Sequence, residues 1–183
     1  MEVQVTARSG SDFKEGIQAG ISIAIGYFPI ALTFGLLAKS SGLSFGEAVL
    51  MSILVYAGAS QYTALNLLSL GTGVIGIIVA TFILNIRHLL MATTIQMKSA
   101  DESLWKKLIY SSGITDETFS VASFRKGKIT AGYMFGLGGI AYVSWVLCTG
   151  IGYLFGASLP HALQESMSIA LYAMFIALLM PAL

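Results

Sequence analysis

The strongest constraint on this chain is a set of long stretches that contain no Asp, Glu, Lys or Arg. The longest runs from Ala48 to Ile86, and Gly16–Ala38, Ile129–Gln164 and Ser166–Leu183 are equally free of these residues. A helix needs about 20 predominantly apolar residues to cross the hydrocarbon core of a bilayer. Each stretch reaches or approaches that length, so the sequence predicts an all-α, polytopic helical protein embedded in a lipid bilayer.

Composition argues against several other classes of protein. Hydrophobic residues make up 56% of the 183 and charged residues 10%, and ten basic against nine acidic residues leave a net charge of +1. This balance offers nucleic acid no basic surface to bind. The single Cys148 permits neither a disulfide framework nor a cysteine metal site, so we expect no metal and no cofactor. The N-terminal segment lacks the pattern of a cleavable signal, so the first apolar stretch is expected to remain as a membrane helix.

Length and helix-breaking residues predict five membrane helices after an N-terminal tail, 1–15. They cover 16–38, 47–70, 72–97, 129–155 and 163–183. A sixth segment, 104–124, contains four charged residues, and each costs about 2.5–3.5 kcal/mol at the centre of a membrane helix. We expect 104–124 to dip into a polar cavity, with an interfacial helix as the alternative. Residues 16–183 would then form one membrane domain with five to six membrane segments.

An internal repeat at an offset of 116 residues is also predicted. Met51-Ser52-Ile53 and Tyr56-Ala57 recur as Met167-Ser168-Ile169 and Tyr172-Ala173, and Gly16 and Gly20 recur as Gly132 and Gly136. Chance is the alternative, because apolar sequences draw on few residue types. The repeat defines halves of about 16–97 and 129–183. The second half ends before any counterpart of 72–97, so we expect a truncated chain. Repeats are common in transporters, whose substrate sites lie at the repeat interface.

The central connection bears on orientation, because six Lys and Arg residues lie between positions 98 and 128. The positive-inside rule places such a connection in the cytoplasm. If three helices cross before it, the N-terminus is outside and the two halves are inverted. If 47–70 instead bends back near Gly58-Ala59-Ser60, only two helices cross, and Arg8 and Lys14 also lie inside. The repeat favours the first arrangement and the charges favour the second.

The segment 72–97 has a polar stripe. At about 100° per residue, Thr81, Asn85 and His88 fall on one narrow side, which we expect to face protein. Asn85 and His88 are candidates for substrate or proton contact, with interhelical hydrogen bonding as the alternative. Arg87 points away from that stripe. It therefore needs another partner, or it extends to the membrane interface as an anchor.

Two other segments contain residues that can open a helix. Gly58, Ser60 and Gln61 lie in the middle of the second segment, where an unwound helix would free backbone groups for a ligand. Tight packing of small residues is the alternative. Tyr27 and Pro29 give the first segment a similar design, because proline removes a backbone hydrogen bond and disfavours helix at the residue before it. A simple kink is the alternative there.

Adjacent carboxylates at Asp116 and Glu117 form the last candidate group. They lie beside Thr115, and capping of a helix, with Asp or Thr accepting backbone N–H groups, accounts for one of the two acids. The other is available to neutralise Arg87 or to take up a proton during transport. Because histidine titrates near neutral pH, His88 is the stronger candidate for proton coupling, and Asp116 would then serve the substrate ammonium or balance Arg87.

Four of these motifs, in their order and spacing, resemble the AzlC family, the large (YgaZ-type) permease subunits of branched-chain amino acid exporters. They are Gly-Tyr-Phe-Pro-Ile-Ala at 26–31, Val-Tyr-Ala-Gly-Ala-Ser-Gln at 55–61, Asn-x-Arg-His at 85–88 and Thr-Asp-Glu at 115–117. The resemblance implies a multi-pass protein of the prokaryotic cell membrane. It further implies export of valine, leucine and isoleucine, usually with a small AzlD-type membrane partner.

The chemistry of a zwitterionic amino acid is compatible with these residues. Arg87 or a helix N-terminus would bind the carboxylate, Asp116 or Glu117 the ammonium, and Tyr27 would help to bury the side chain. The sequence has no P-loop, so an ion gradient or another subunit must supply energy. Two alternatives are an intramembrane enzyme that uses His88 with Asp116 or Glu117, and a non-transporting assembly subunit. The enzyme hypothesis is the weaker one, because the sequence contains neither a GxSxG nucleophile motif nor an HExxH metal motif.

Overall fold

The computed structural model describes residues 9–160 together with 162, 163, 166 and 169, and nearly all of this part is helical. Its α-helices are α1 (Ser9–Ser40), α2 (Phe45–Leu54), α3 (Gly58–Ser69), α4 (Val74–Lys98), α5 (Leu104–Ser112), α6 (Asp116–Phe124) and α7 (Ala131–Phe155). Three of them, α1, α4 and α7, are long and apolar enough to cross a membrane. The all-α class is therefore confirmed. The described part contains fewer spans than expected, and 163–183 lies almost entirely outside it.

Helices α1 and α7 form the central pair and pack through glycines. A Cβ atom added at Gly16 would collide with the backbone of Tyr133, and one added at Gly152 would collide with the backbone of Leu32. Such close approach of backbones is how membrane helices associate where lipid is as apolar as the side chains. The contacts between α1 and α7 advance in the same direction along both helices. Gly16 lies against Tyr133 near the two beginnings, Ser144 donates to the Ala24 carbonyl near the middle, and Leu32 lies against Gly152 farther along. The two helices therefore run parallel.

Helices α2 and α3 form a hairpin that enters and leaves at one end of this pair. Two tyrosines of α7 fix α2 along that helix. Tyr153 donates to the Leu43 carbonyl just before α2 begins, and Tyr142 donates to the Ile53 carbonyl near its end. Helix α3 returns beside α1, to which Tyr62 donates a hydrogen bond. It ends where α1 ends, with the Ser69 hydroxyl 3.4 Å from that of Ser41. The predicted second membrane helix is thus two half-length helices.

The turn of this hairpin lies at residues 55–57. Tyr56 adopts a φ of 39°, a backbone region that residues other than glycine seldom occupy. The helix is interrupted just before Gly58, and Gly58 itself begins α3 and packs against the Trp145 ring. Both the interruption and the tight packing named as its alternative are thus present, and the binding of a ligand to freed backbone groups stays a prediction. Only α1 and α4 cross before the central connection, so the arrangement with three crossing helices is wrong.

Helix α1, by contrast, does not open at its proline. It is continuous from Ser9 to Ser40 through Pro29, and the expectation of an unwound segment there is wrong. Neighbouring hydroxyls bind the carbonyls in this region, since Thr33 donates to the Pro29 carbonyl at 2.9 Å and Tyr62 to the next carbonyl at 2.7 Å. The proline leaves the Ile25 carbonyl without its helical donor, and these two hydroxyls bind carbonyls that follow it in the helix.

Helices α5 and α6 form a second hairpin, which enters from the opposite end. Helix α5 runs along α7 from Glu102, whose carboxylate accepts from the Ala131 N–H at 2.8 Å, to Gly113, which lies beside Gly138. Helix α6 returns to Arg125, which forms ion pairs with acidic residues in the first turns of α1. The segment 104–124 thus turns back beside the middle of α7 as two helices, and its position as a dip into the membrane stays a prediction.

The topology repeats one unit, a long helix followed by a hairpin of two short helices. In α1–α3 the hairpin enters from one end, and in α4–α6 it enters from the other. The repeat predicted at an offset of 116 pairs α1 with α7 instead. These two helices run parallel, so they show no inverted relation. The second matched patch of that repeat, at 167–173, falls almost wholly outside the described residues. The repeat at an offset of 116 therefore stays a prediction.

Candidate functional site

The turns of the two hairpins meet at a small cavity level with the middle of α1, α4 and α7. It is lined by Tyr27, Tyr56, Ala57, Gly58, Ala59, Arg87, His88, Thr115, Asp116, Glu117 and Trp145. Its volume of about 20 Å³ is close to the room that one water molecule needs. Two larger grooves, of about 410 and 530 Å³, adjoin this central cavity at Tyr56. Tyr56 thus lines the central cavity and both grooves, and the larger groove also shares Ala57 and His88 with the cavity.

An ion pair joins α4 to the start of α6 at this cavity. Arg87 Nη1 lies 2.9 Å from Asp116 Oδ2, with about a third and a quarter of the side chains exposed. Arg87 Nε is buried and has no hydrogen-bond partner among the described residues. The expectation that Arg87 turns away from His88 is wrong, because both line the cavity. The protein-facing side of α4 is wide enough for two residues about 100° apart. Arg87 lies at the centre of α4, so it is no interfacial anchor.

Asn85 and His88 lie on the protein-facing side of α4, as the polar stripe predicts. The Asn85 amide oxygen accepts a 2.7 Å hydrogen bond from Ser60. The His88 Nδ1 atom lies 3.1 Å from the backbone carbonyl of Asn85, so this contact is within its own helix. His88 lines both the central cavity and the larger groove, whereas Asn85 lines only the groove.

Glu117 is the most buried acidic side chain at the cavity, with 8% of its surface exposed. The Tyr27 hydroxyl donates to Glu117 Oε2 at 2.5 Å, and its oxygen also lies 2.8 Å from Thr115 Oγ1. Glu117 belongs to α6, outside the three spanning helices, and burial raises the pKa of its carboxyl. Asp116 and Glu117 are thus adjacent in sequence but differ in both partner and exposure.

Helix α6 is capped by threonines and not by an acid. Thr115 Oγ1 accepts from the Thr118 N–H, and the Thr118 hydroxyl accepts from the Thr115 N–H at 2.8 Å. The expectation that a Thr accepts these N–H groups is therefore confirmed, and the expectation that Asp116 or Glu117 supplies the cap is wrong. Because a reciprocal capping box already satisfies this helix end, both carboxylates are left for other contacts.

Helix α3 begins at the cavity wall without such a cap. Its N-cap residue is Ala57, and no side chain caps it among the described residues. The first N–H groups of an α-helix have no partner within the helix and carry partial positive charge. The start of α3 and Arg87 thus add positive groups to a cavity lining that also contains the carboxylates of Asp116 and Glu117.

Four of the predicted site residues lie outside the lining of the central cavity: Asn85, which lines the larger groove, and Pro29, Ser60 and Gln61. The fully buried Gln61 accepts from Trp145 Nε1 at 2.9 Å and donates to Ser52 Oγ at 3.0 Å. It therefore holds the indole that forms one cavity wall. Sequence reasoning missed Trp145. Its available signal was a polar-tipped aromatic side chain within a charge-free membrane helix.

Comparison with known proteins gives both a family and several relatives that are membrane proteins. The family model described as AzlC protein matches residues 22–159. This chain belongs to the AzlC family, which confirms the resemblance noted from its motifs. Among the described residues, no group of three His, Cys, Asp or Glu side chains is placed to hold a metal ion.

Several relatives align along most of the chain. An uncharacterized membrane protein of Archaeoglobus fulgidus is 32% identical over 92% of this chain and 75% of its own length. The inner membrane protein YgaZ of Escherichia coli is 28% identical over 95% and 74%. The branched-chain amino acid transport protein AzlC of Bacillus subtilis is 25% identical over 90% and 65%. No solved structure gives a significant match. These relationships indicate a membrane protein with a role in transport.

Proposed function

We propose that this protein is a transporter subunit that exports the branched-chain amino acids valine, leucine and isoleucine, driven by an ion gradient. The observation that carries the proposal is the central cavity, where groups of both charge signs lie between two hairpins that enter from opposite ends. Transporter sites commonly lie at such a depth, beside discontinuous helices. The name of the Bacillus subtilis relative, a branched-chain amino acid transport protein, supports the substrate class.

The positive groups of the cavity lining suit the substrate carboxylate. The N-terminus of α3, at Gly58, offers unpaired N–H groups, and Arg87 offers its unpartnered Nε atom. Helix N-termini bind carboxylates because the N–H groups and the helix dipole both favour negative charge. We assign the carboxylate of the amino acid to these groups.

The acidic groups of the lining suit the substrate ammonium. Glu117 is buried, and Asp116 is already paired with Arg87. An amino acid bound between the positive and the acidic groups would place its aliphatic side chain toward Tyr56 and the grooves that it lines. Since the cavity of about 20 Å³ is too small for leucine, binding requires the hairpins to separate. Such movement would open the site to one end of the membrane at a time.

The surroundings of this transporter subunit are also part of the proposal. We place the chain in the prokaryotic cell membrane with the central connection in the cytoplasm, where the basic residues are concentrated. We expect a small AzlD-type membrane protein as its partner. The alternatives are an intramembrane enzyme that uses His88, and a subunit that assembles with a transporter without carrying substrate.

Flux in proteoliposomes tests the function. We expect labelled leucine, isoleucine and valine to leave vesicles in response to an imposed proton gradient, in the presence of the partner. Arg87→Gln should abolish this flux, whereas Gly46→Ala, a change with open space around it, should not. Flux that survives Arg87→Gln would indicate an assembly subunit. Chemical conversion of the amino acid without flux would indicate an enzyme.

A further inference from the structure

The geometry of the two adjacent acids points to a coupling mechanism, and this inference rests on the proposed function. We infer that Glu117 is the exchange site of an amino acid–proton antiporter, where the substrate ammonium and a proton alternate on one carboxylate. Each carboxylate of the site would then have a separate task.

Asp116 is committed to a fixed partner. Its Oδ2 atom lies 2.9 Å from Arg87 Nη1, and separating this pair at the membrane centre would leave two uncompensated charges. Glu117 makes no ion pair within the described part of the chain, is 8% exposed and lines the cavity directly. Its observed side-chain partner is the neutral Tyr27 hydroxyl, at 2.5 Å. Glu117 is therefore the acid that is free to bind a cation.

The titratable and charged groups that line the cavity with Glu117 come from α1, the first hairpin turn, α4 and α6. They are Tyr27 on α1, Tyr56 in the first hairpin turn, Arg87 and His88 on α4, and Asp116 on α6. The α7 residue at this wall, Trp145, does not titrate. Arg87 is neutralised by Asp116, and His88 Nδ1 lies against a carbonyl of its own helix.

An ionised Glu117 in the empty site would therefore lack a compensating cation. A buried carboxyl in that position gains a proton, which is the direction in which burial shifts its pKa. An entering ammonium supplies the positive charge instead, and the carboxyl proton then passes to water on the side to which the cavity is open.

The cycle balances one substrate against one proton. On the cytoplasmic side, the amino acid binds and the Glu117 proton is released to the cytoplasm. On the outer side, the amino acid leaves and Glu117 takes up a proton from outside. Each exported amino acid is thus exchanged for one imported proton, and no net covalent change occurs. Inward proton flow would drive the export.

Calorimetric titration of the complete chain with leucine, together with its partner if flux requires one, tests this exchange. Buffers of different ionisation enthalpy report the protons released. We expect about one proton per leucine bound below the pKa of Glu117. Affinity should rise by about tenfold per pH unit in that range, as linkage to one proton requires. Glu117→Gln should bind leucine more weakly, release no proton and lose this pH dependence. Glu47→Gln, a change to an acid of the α2 capping box, should behave as wild type.

Thermal unfolding without substrate checks that Glu117→Gln is folded. A carboxyl whose folded pKa is raised stabilises the fold at low pH, and this stability is lost as pH rises through the folded pKa. Wild type should therefore lose stability over that range, and Glu117→Gln should not. Leucine binding without proton release, or an unchanged pH dependence in Glu117→Gln, would overturn the exchange and leave the proposed function standing. Failure of leucine, isoleucine and valine to bind at all would overturn the proposed function itself.

Discussion

Arg87 and Asp116 connect a spanning helix to a half-length helix at the centre of the molecule. Charges at this depth are expensive, so they are retained where they pair or serve function. Asp116 also lies in the first turn of α6, where the helix dipole stabilises a negative charge. The pair therefore both fixes the second hairpin to α4 and positions Arg87 at the cavity for the substrate carboxylate.

Removal of one member of this pair should be worse for stability than removal of both. Arg87→Gln leaves Asp116 uncompensated, and we expect the free energy of unfolding to fall by about 2 kcal/mol, below the range for a fully buried pair because both groups are partly exposed. Adding Asp116→Asn should restore most of that loss, although transport should stay abolished. Thermal unfolding and leucine flux of the wild type and these two variants measure the difference. A double variant as unstable as Arg87→Gln would contradict it.

At the scale of elements, the two hairpins depend on close contacts with the central helices. The first hairpin turns where Gly58 lies against the Trp145 ring, and the buried Gln61 side chain holds that ring from α3. Ser52 on α2 continues the network to Thr149 on α7, at 2.9 Å. Because these buried polar groups satisfy one another, the half-length helices are held at a defined depth.

A methyl group at the first hairpin turn should disturb this arrangement. A Cβ at Gly58 would lie 2.9 Å from the Trp145 ring, so Gly58→Ala must displace the indole or the start of α3. We expect leucine flux to fall at least tenfold, with a modest loss of stability. Gly46→Ala is the matched control, since the same change there meets nothing within 4 Å. Trp145 fluorescence should change in the first variant and not in the second.

At the scale of the whole molecule, the parallel pair of α1 and α7 determines the topology. Both helices begin at the end that carries the central connection, where Arg125 pairs with Asp12 at 3.2 Å and Glu15 at 2.8 Å. The beginning of α1 therefore lies on the same side as the basic cluster. This geometry matches the orientation that the charges favoured.

Cysteine labelling tests this topology in intact cells. In a Cys148→Ala background, which removes the chain's native cysteine, Lys14→Cys and Lys128→Cys should both resist an impermeant maleimide added outside. Leu70→Cys, an exposed position at the opposite end, should react. Labelling of Lys14→Cys but not of Lys128→Cys would place the N-terminal ends of α1 and α7 on different sides of the membrane. That result would contradict the parallel pair.

The sequence by itself determined the features that depend on local free energies of transfer. Charge-free stretches predicted helices in lipid, and the charges of 104–124 predicted a segment that dips into a polar cavity, because both follow from the cost of burying charge. Gly58 marked the first hairpin turn for a similar local reason. The motifs at the site also sufficed to indicate the family.

Only the tertiary structure decided which groups satisfy one another. The pairing of Arg87 with Asp116, the hydrogen bond from Tyr27 to Glu117 and the hold of Gln61 on Trp145 all depend on which side chains arrive from distant parts of the chain. Helical periodicity gives the direction of a side chain around its helix, but not how much of that helix is covered by packed neighbours. For this reason it did not show that Arg87 and His88 both line the cavity. A buried polar group is stabilised by whichever partner packing brings to it, and that partner lies beyond the reach of local sequence pattern.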